Sequence, residues 1–171
     1  MHFILLFFKG TIRGFAILIE KEWLSLGHQF AVRSGVGQSL GIQGNEPGEN
    51  EKNFSPVFLV WLDCVFQLIS QFPNAFEFTD SLLIFIADCY YNGRFGTFLL
   101  SSEKDRVTSG LFTKTKSVWS HVLDHREEFE NRDYVPFYKT LVPLTSLGSL
   151  RFWASYFTRF NPTRLPIFDQ Y

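Results

Sequence analysis

The sequence has few cysteines, almost no net charge and no long apolar run. Its two cysteines, Cys64 and Cys89, lie in apolar segments, which predicts buried thiols in a reducing compartment rather than a disulfide. The formal net charge of −1 gives no reason to expect a nucleic-acid partner, although a local basic patch remains compatible with it. The longest apolar runs contain about six residues, so we expect no membrane-spanning segment.

Aromatic residues are abundant. They make up 18% of the 171 residues, and 21 of them are phenylalanine. A disordered chain does not carry so many large apolar side chains. The length therefore predicts one folded domain, or a large part of one.

A pair of apolar helices is predicted at the centre of the chain. In SPVFLVWLDCVFQLISQFP, Ser55 is a candidate N-cap, Pro56 suits the first helical position, and Pro73 ends the helix. Its polar residues form one narrow stripe on a helix that is otherwise apolar all round, so we expect it inside a domain; they are Asp63, Gln67, Ser70 and Gln71. The second helix begins near Thr79 or Asp80 and ends at Asn92-Gly93.

Other helices are predicted on either side of this pair. The first contains Ile12, Phe15, Ile19, Trp23 and Leu26 at helical spacing, and Gly27 ends it. A second covers about Ser117 to His125, and a third covers Ser149 to Phe160, with Leu150, Trp153, Ala154 and Phe157 on one face. The charges Glu103, Lys104, Asp105 and Arg106 predict a surface turn, and 126–144 predicts a loop.

Three segments show no such periodicity. Residues 1–10 contain an apolar run that is a poor signal peptide and too short for a membrane span, so we interpret them as lying outside the fold. Residues 34–54 are rich in glycine and polar side chains, which predicts a flexible surface loop. Residues 164–171 are interpreted as a tail.

Few residue pairs are typical of a chemical site. His121 and His125 are four positions apart, a spacing that suits a metal on one helical face, but there is no third ligand at motif spacing, so we predict no metal site. Glu20 and Glu22 point away from each other on a helix and are interpreted as a solvated face. No cofactor is predicted.

Successive blocks of the sequence resemble the myotubularin family of phosphoinositide 3-phosphatases and their inactive relatives. The blocks are TIRGFAILIEKEWLSLGHQFAVR, SPVFLVWLDCVFQLISQFPNAFEF, GRFGTFLLSSEKDR, KSVWS and FWASYFTRFNP, in the family's order. The resemblance implies that residues 11–163 are the C-terminal part of an α/β Cys-based phosphatase domain. We expect this part to be mainly α-helical and the domain to be incomplete.

The family's catalytic loop reads Cys-Ser-Asp-Gly-Trp-Asp-Arg-Thr and precedes the TIRGF block. Its thiolate attacks phosphorus, while the loop N–H groups and an arginine six positions after the cysteine hold the phosphate oxygens. Six positions after Cys64 and Cys89 stand Ser70 and Phe95, and Arg94 is one position short. The sequence therefore predicts no catalytic residue.

The resemblance also implies a weak substrate-phosphate site. Arg33 falls where the family has a basic residue near the substrate phosphates, whereas Gln29 replaces a usual lysine or arginine. The alternative for Arg33 is a surface side chain lying over the helix end. His28 is a second candidate for the ligand side, and its alternative is a histidine at a helix end that bonds a backbone carbonyl.

Two functions of different class follow from the resemblance. One is a truncated, catalytically inactive pseudophosphatase that pairs with other myotubularin-family subunits and binds phosphoinositide only if the missing half is supplied. The other is a piece of an active phosphatidylinositol 3-phosphate or 3,5-bisphosphate 3-phosphatase whose missing half lies upstream. Either implies a cytoplasmic protein, with the periphery of endosomal membranes as a further expectation, and membrane recruitment by these residues alone is not expected.

Overall fold

The computed structural model of the chain describes residues 10–35, 54–137 and 139–160. Residues 1–9, most of the predicted flexible loop and the predicted tail lie outside the described residues. The described residues form α-helices, short 3₁₀ turns and one isolated antiparallel bridge between Phe78 and Glu130. The prediction of a mainly α fold is therefore confirmed.

Eight α-helices follow one another along the described chain. They are α1 (Ile12–Ile19), α2 (Phe30–Ser34), α3 (Val57–Gln71), α4 (Asp80–Asn92), α5 (Glu103–Thr108), α6 (Leu111–Lys114), α7 (Val118–Asp124) and α8 (Ala154–Phe157). A π-helical turn, Glu20–Leu24, continues α1 without a break. The 3₁₀ turns are Pro73–Ala75, Gly96–Phe98, Arg126–Glu128 and Leu147–Ser149. None of these helices is long and apolar enough to cross a bilayer.

The helical hairpin α3–α4 forms the centre of the core, as the sequence predicts. Thr79 caps α4, and Gly93 ends it in the left-handed conformation at φ 62°. The start of α3 differs, because Pro56 rather than Ser55 occupies the N-cap position and no side chain caps the helix. The buried residues of the pair are Phe58, Leu62, Val65, Leu68, Leu82, Leu83, Ile86, Ala87, Cys89 and Tyr90.

One side of α3 is uncovered within the described residues. Val57 and Val60 are 50% and 57% exposed, so the described residues do not enclose this helix as its apolar sequence predicts. On the opposite side, rings from α1, α2 and α4 meet the helix. Phe15 stacks on Trp61 at 5.5 Å between centroids, and Phe58 meets Phe30 and Tyr90 edge-on at 5.0 and 5.2 Å. Aromatic pairs in these geometries stabilise a core beyond their buried area.

The first helix agrees with its predicted pattern up to Trp23. Thr11 accepts a hydrogen bond from the Gly14 N–H and caps α1, and Ile12, Phe15 and Ile19 are buried. Leu26 was expected on the same apolar face, but it follows the π-helical turn and is 73% exposed. Because one extra residue per turn rotates the side chains that follow, the helical spacing no longer applies beyond Leu24.

The predicted last helix is much shorter in the structure. Only α8 is α-helical, and Leu150 and Phe157 are about half exposed, whereas Trp153 is buried and stacks on Phe66 at 5.3 Å. The backbone of Arg151 bonds instead to the Gln67 side chain of α3. This tertiary pairing occupies groups that a longer helix would have bonded internally.

The charged run before α6 also differs from its prediction. Glu103–Thr108 is the helix α5, capped by Ser102, which accepts a hydrogen bond from the Asp105 N–H at 3.1 Å. Arg106 is only 5% exposed, so it is not part of a surface turn. Its Nε and Nη2 donate to the carbonyl oxygens of Leu99 and Leu100.

Candidate functional site

The segment that follows the π-helical turn holds both predicted phosphate-site residues. Gly27 has φ 78°, a conformation that favours glycine, and it reverses the chain after the turn. The His28 N–H donates to the Trp23 carbonyl at 2.9 Å, and Phe30 is completely buried at the start of α2. The local fold thus fixes His28 and Arg33 at the two ends of one short segment that is anchored by aromatic packing.

His28 is held by ring contacts. Its imidazole meets Trp23 and Phe30 edge-on, at 4.7 and 4.6 Å between centroids, and its Nε2 is buried without a hydrogen-bond partner among the described residues. Burial, with a smaller contribution from the Arg33 charge, lowers the pKa of His28. The uncharged form of the imidazole is therefore favoured. Its Nε2 does not bond a backbone carbonyl among the described residues, which is the alternative that the sequence left open.

Arg33 lies in the last turn of α2, partly buried, with its N–H bonded to the Gln29 carbonyl at 2.9 Å. Its positive charge acts on the pKa values of both His28 and Tyr90. The structure therefore places Arg33 near enough to His28, the second candidate residue, for its charge to affect the pKa of the ring. Arg33 is thus the one of the two side chains whose charge can attract an anionic phosphate oxygen, because burial favours the uncharged form of the His28 imidazole and lowers its pKa.

Neither cysteine lies in a setting that activates a thiolate. Both are free, Cys64 is partly buried in α3, and Cys89 is 1% exposed in α4. Burial raises the pKa of both thiols, that of Cys89 to about 12. Arg94 lies over the Phe95 ring, 5.6 Å from its centroid, and its charge opposes the larger effect of burial on the pKa of Cys89 without reversing it.

The histidine pair of α7 forms a stack. The rings of His121 and His125 are 4.1 Å apart between centroids, and His121 also stacks on Phe85 at 5.0 Å. The His125 Nδ1 lies 3.0 Å from the His121 carbonyl oxygen. Within the described ranges there is no group of three residues able to hold a metal ion.

A cleft of about 160 Å³ between the π-helical turn and helices α5 and α6 was not predicted. Glu20 lines it and accepts a hydrogen bond from the Trp119 indole N–H at 3.1 Å, so this carboxylate is not simply part of a solvated face. Burial raises its pKa, and the nearby charge of Arg106 opposes that change. Arg106 also lines the cleft, and its Nη2 donates to the carbonyl of Leu100, a left-handed residue at φ 64°.

One sequence signal could have found this cleft. Ser102 and Asp105 have the spacing of a capping box, which predicts a helix beginning at Glu103 rather than a turn. A helix there fixes the direction of Arg106. Its partners, the carbonyls of Leu99 and Leu100, carry no side-chain signature, so the burial of Arg106 could not be predicted.

Comparison with known proteins relates this chain to one protein family. A family model described as a myotubularin-like phosphatase domain matches residues 4–107. The match begins ahead of Thr11, the predicted start of the family region, so the exact boundary stays a prediction.

Individual relatives extend the similarity to most of the chain. The phosphatidylinositol-3,5-bisphosphate 3-phosphatase MTMR2 of Gallus gallus is 45% identical over 157 residues, which cover 91% of this chain and 26% of the relative. The same-named protein of Mus musculus is 43% identical over 157 residues, covering 91% and 23%. Myotubularin of Rattus norvegicus is 41% identical over 160 residues, covering 91% and 25%. The chain spans about a quarter of the length of these relatives.

Proposed function

The chain belongs to the myotubularin family, and on that premise we propose that it is a non-catalytic helical part of a phosphoinositide 3-phosphatase domain. Acting alone, it releases no phosphate from phosphoinositides. One observation carries this proposal: both cysteines lie inside helices rather than in a phosphate-binding turn, and burial raises the pKa of both thiols. A phosphatase of this family needs a thiolate near neutral pH, held among backbone N–H groups.

The helical part contributes to phosphoinositide chemistry when a subunit or segment with a Cys-x5-Arg loop is present. Arg33 then contacts the substrate phosphate, and the neutral His28 lines the same side of the site. The local fold supports this assignment, because the ring contacts of His28 and the short helix α2 hold His28 and Arg33 in one segment. The proposed partners are other myotubularin-family subunits, and the proposed location is cytoplasmic, at the periphery of endosomal membranes.

The test is a phosphate-release assay with water-soluble phosphatidylinositol 3-phosphate and 3,5-bisphosphate. We expect the purified chain to give the same signal as buffer. A variant with both Cys64→Ser and Cys89→Ser is the matched control, and it should be indistinguishable from the unmodified chain. Sustained turnover that follows the chain through purification and disappears in the double variant would overturn the proposal.

The coverage of the relatives favours a second candidate, an active 3-phosphatase of which these residues are one part. Identity of 41–45% continues across 91% of the chain, as expected for a segment of a working domain. Reading the gene upstream of the codon for Thr11 tests this candidate. A Cys-x5-Arg loop in the same frame supports the enzyme, and its absence supports the non-catalytic assignment.

A further inference from the structure

Two glutamines of α3 anchor a loop near the C-terminal end of the described chain. The Gln71 side chain accepts from the Leu144 N–H at 2.8 Å and donates to the Leu144 carbonyl at 3.0 Å. The Gln67 side chain does the same for Arg151, at 2.9 and 2.8 Å. Because the glutamines are one helical turn apart, they hold the two ends of Leu144–Arg151 side by side. We call this segment the anchored loop.

The tip of the anchored loop is ordered by its own hydrogen bonds. The Ser149 N–H donates to the Ser146 carbonyl at 2.9 Å, the Leu150 N–H donates to the Leu147 carbonyl at 3.2 Å, and the two serine hydroxyls are 2.7 Å apart. This 3₁₀ turn presents Leu147, which is 89% exposed, with Leu144 and Leu150 exposed on either side. Apolar side chains held outward by an ordered turn are typical of an interaction surface.

The sequence of the anchored loop and its flanks carries charge of one sign. Residues 139–160 contain three basic residues, Lys139, Arg151 and Arg159, and no aspartate or glutamate, although the whole chain has a net charge of −1. Arg159 forms an ion pair with Asp88 of α4, which leaves Lys139 and Arg151 as exposed cations. From α3, Asp63 approaches the anchor through the Gln67 side chain at 3.4 Å, and burial raises its pKa.

We propose that the anchored loop is a peripheral membrane-contact site for an anionic bilayer. Leu147 enters the region between headgroups and acyl chains, and Lys139 and Arg151 lie among the anionic headgroups. Aromatic side chains follow directly, since Phe152 is 67% exposed and stacks on Phe157. Aromatic side chains favour the headgroup level of a bilayer, close to the depth proposed for Leu147. The positive, acid-free sequence favours an anionic lipid surface, because a symmetric contact with a second copy of this chain would bring the same cations together.

Vesicle co-sedimentation of the full chain tests the proposal. The vesicles contain phosphatidylcholine, with or without phosphatidylserine, and no phosphoinositide, so the result does not depend on the proposed function. We expect binding to the phosphatidylserine vesicles. Leu147→Ser should weaken it roughly tenfold, and Arg151→Gln should weaken it about fivefold. Leu123→Ser is the matched control, since Leu123 is an equally apolar side chain, 60% exposed, on the distant α7.

Three results would overturn the proposal. The first is the absence of binding to the anionic vesicles. The second is an equal loss with Leu147→Ser and Leu123→Ser, which would mark general apolar adhesion. The third is vesicle binding that is unchanged by Leu147→Ser while concentration-dependent self-association is lost, which would assign the loop to a protein partner. Far-UV circular dichroism of each variant verifies that the helices are intact.

Discussion

Arg106 is the buried charge on which one wall of the cleft depends. Its side chain bonds two consecutive carbonyls, and the second belongs to the left-handed Leu100. We expect Arg106→Met to leave both carbonyls without their donor, at a local cost of about 1–3 kcal/mol for each unpaired group. Hydrogen exchange of peptides covering 99–110 should therefore become faster.

Arg132→Met is the control for this substitution, because Arg132 is an exposed arginine in a loop. It should leave exchange over 99–110 unchanged. Arg106→Lys keeps the charge but cannot make both bonds with the same geometry, so its effect should be intermediate. Identical exchange in Arg106→Met and the unmodified chain would show that the carbonyls do not rely on the guanidinium.

Individual side chains are where sequence reasoning succeeded least. A run of four charges suggests a solvated turn, yet Arg106 is buried because its partners are backbone groups. Glu20 could not be linked to Trp119, since 99 residues separate them. The resemblance supplied Arg33 and His28 as candidates, and the structure adds their burial and charge coupling. Their phosphate role stays a prediction.

At the scale of elements, the glutamine anchors determine how the C-terminal segment is held. We expect Gln71→Ala to release the backbone of Leu144, because both hydrogen bonds between Leu144 and the Gln71 side chain are lost. One net hydrogen bond contributes about 1 kcal/mol, so exchange of the Leu144 amide should become about fivefold faster or more. Hydrogen exchange measured by mass spectrometry on peptides covering 141–147 gives the readout.

Ser70→Ala, at the neighbouring position of α3, is the matched control and should have no effect on these peptides. If Gln71→Ala exchanges like the control, the anchored loop is held by its own turn and not by the helix. The same pair of variants separates loop anchoring from general loss of α3, because peptides from Val57–Gln71 should remain protected in both.

Element boundaries were predictable wherever the sequence itself contains the stop or the cap. Thr79 and Gly93 delimit α4 and Pro73 follows α3, both as expected, and α7 lies inside the predicted range of Ser117 to His125, with Ser117 as its N-cap. The predicted helix over 149–160 was wrong beyond α8, because the hydrogen bonds that replace it come from Gln67, far away in the sequence. The π-helical turn was not predicted, because the apolar residues around it keep ordinary helical spacing in the sequence and no residue marks the extra position.

For the whole molecule, the fold class and the family were predictable because they rest on many residues at once. The apolar periodicity of α3 and α4 survives the loss of any single position, and the sequence blocks recur together. Which apolar side chains stay exposed on the surface was not predictable. Val57 and Val60 of α3 and the leucines of the anchored loop are exposed. No local sequence pattern distinguishes them from apolar residues that are buried.

This exposed apolar surface determines how the isolated chain should unfold. The aromatic core joins α1 to α4, whereas the C-terminal segment is attached mainly through individual side chains of α3 and α4, so the two should lose structure at different temperatures. We expect a broad thermal transition in which near-UV circular dichroism changes before far-UV, with a van't Hoff enthalpy below the calorimetric one. The Gln71→Ala variant should broaden the transition further, and Ser70→Ala should not. Coincident, sharp transitions with equal enthalpies would instead show a chain that closes its core unaided, and would favour a stable partner module over a part of a larger domain.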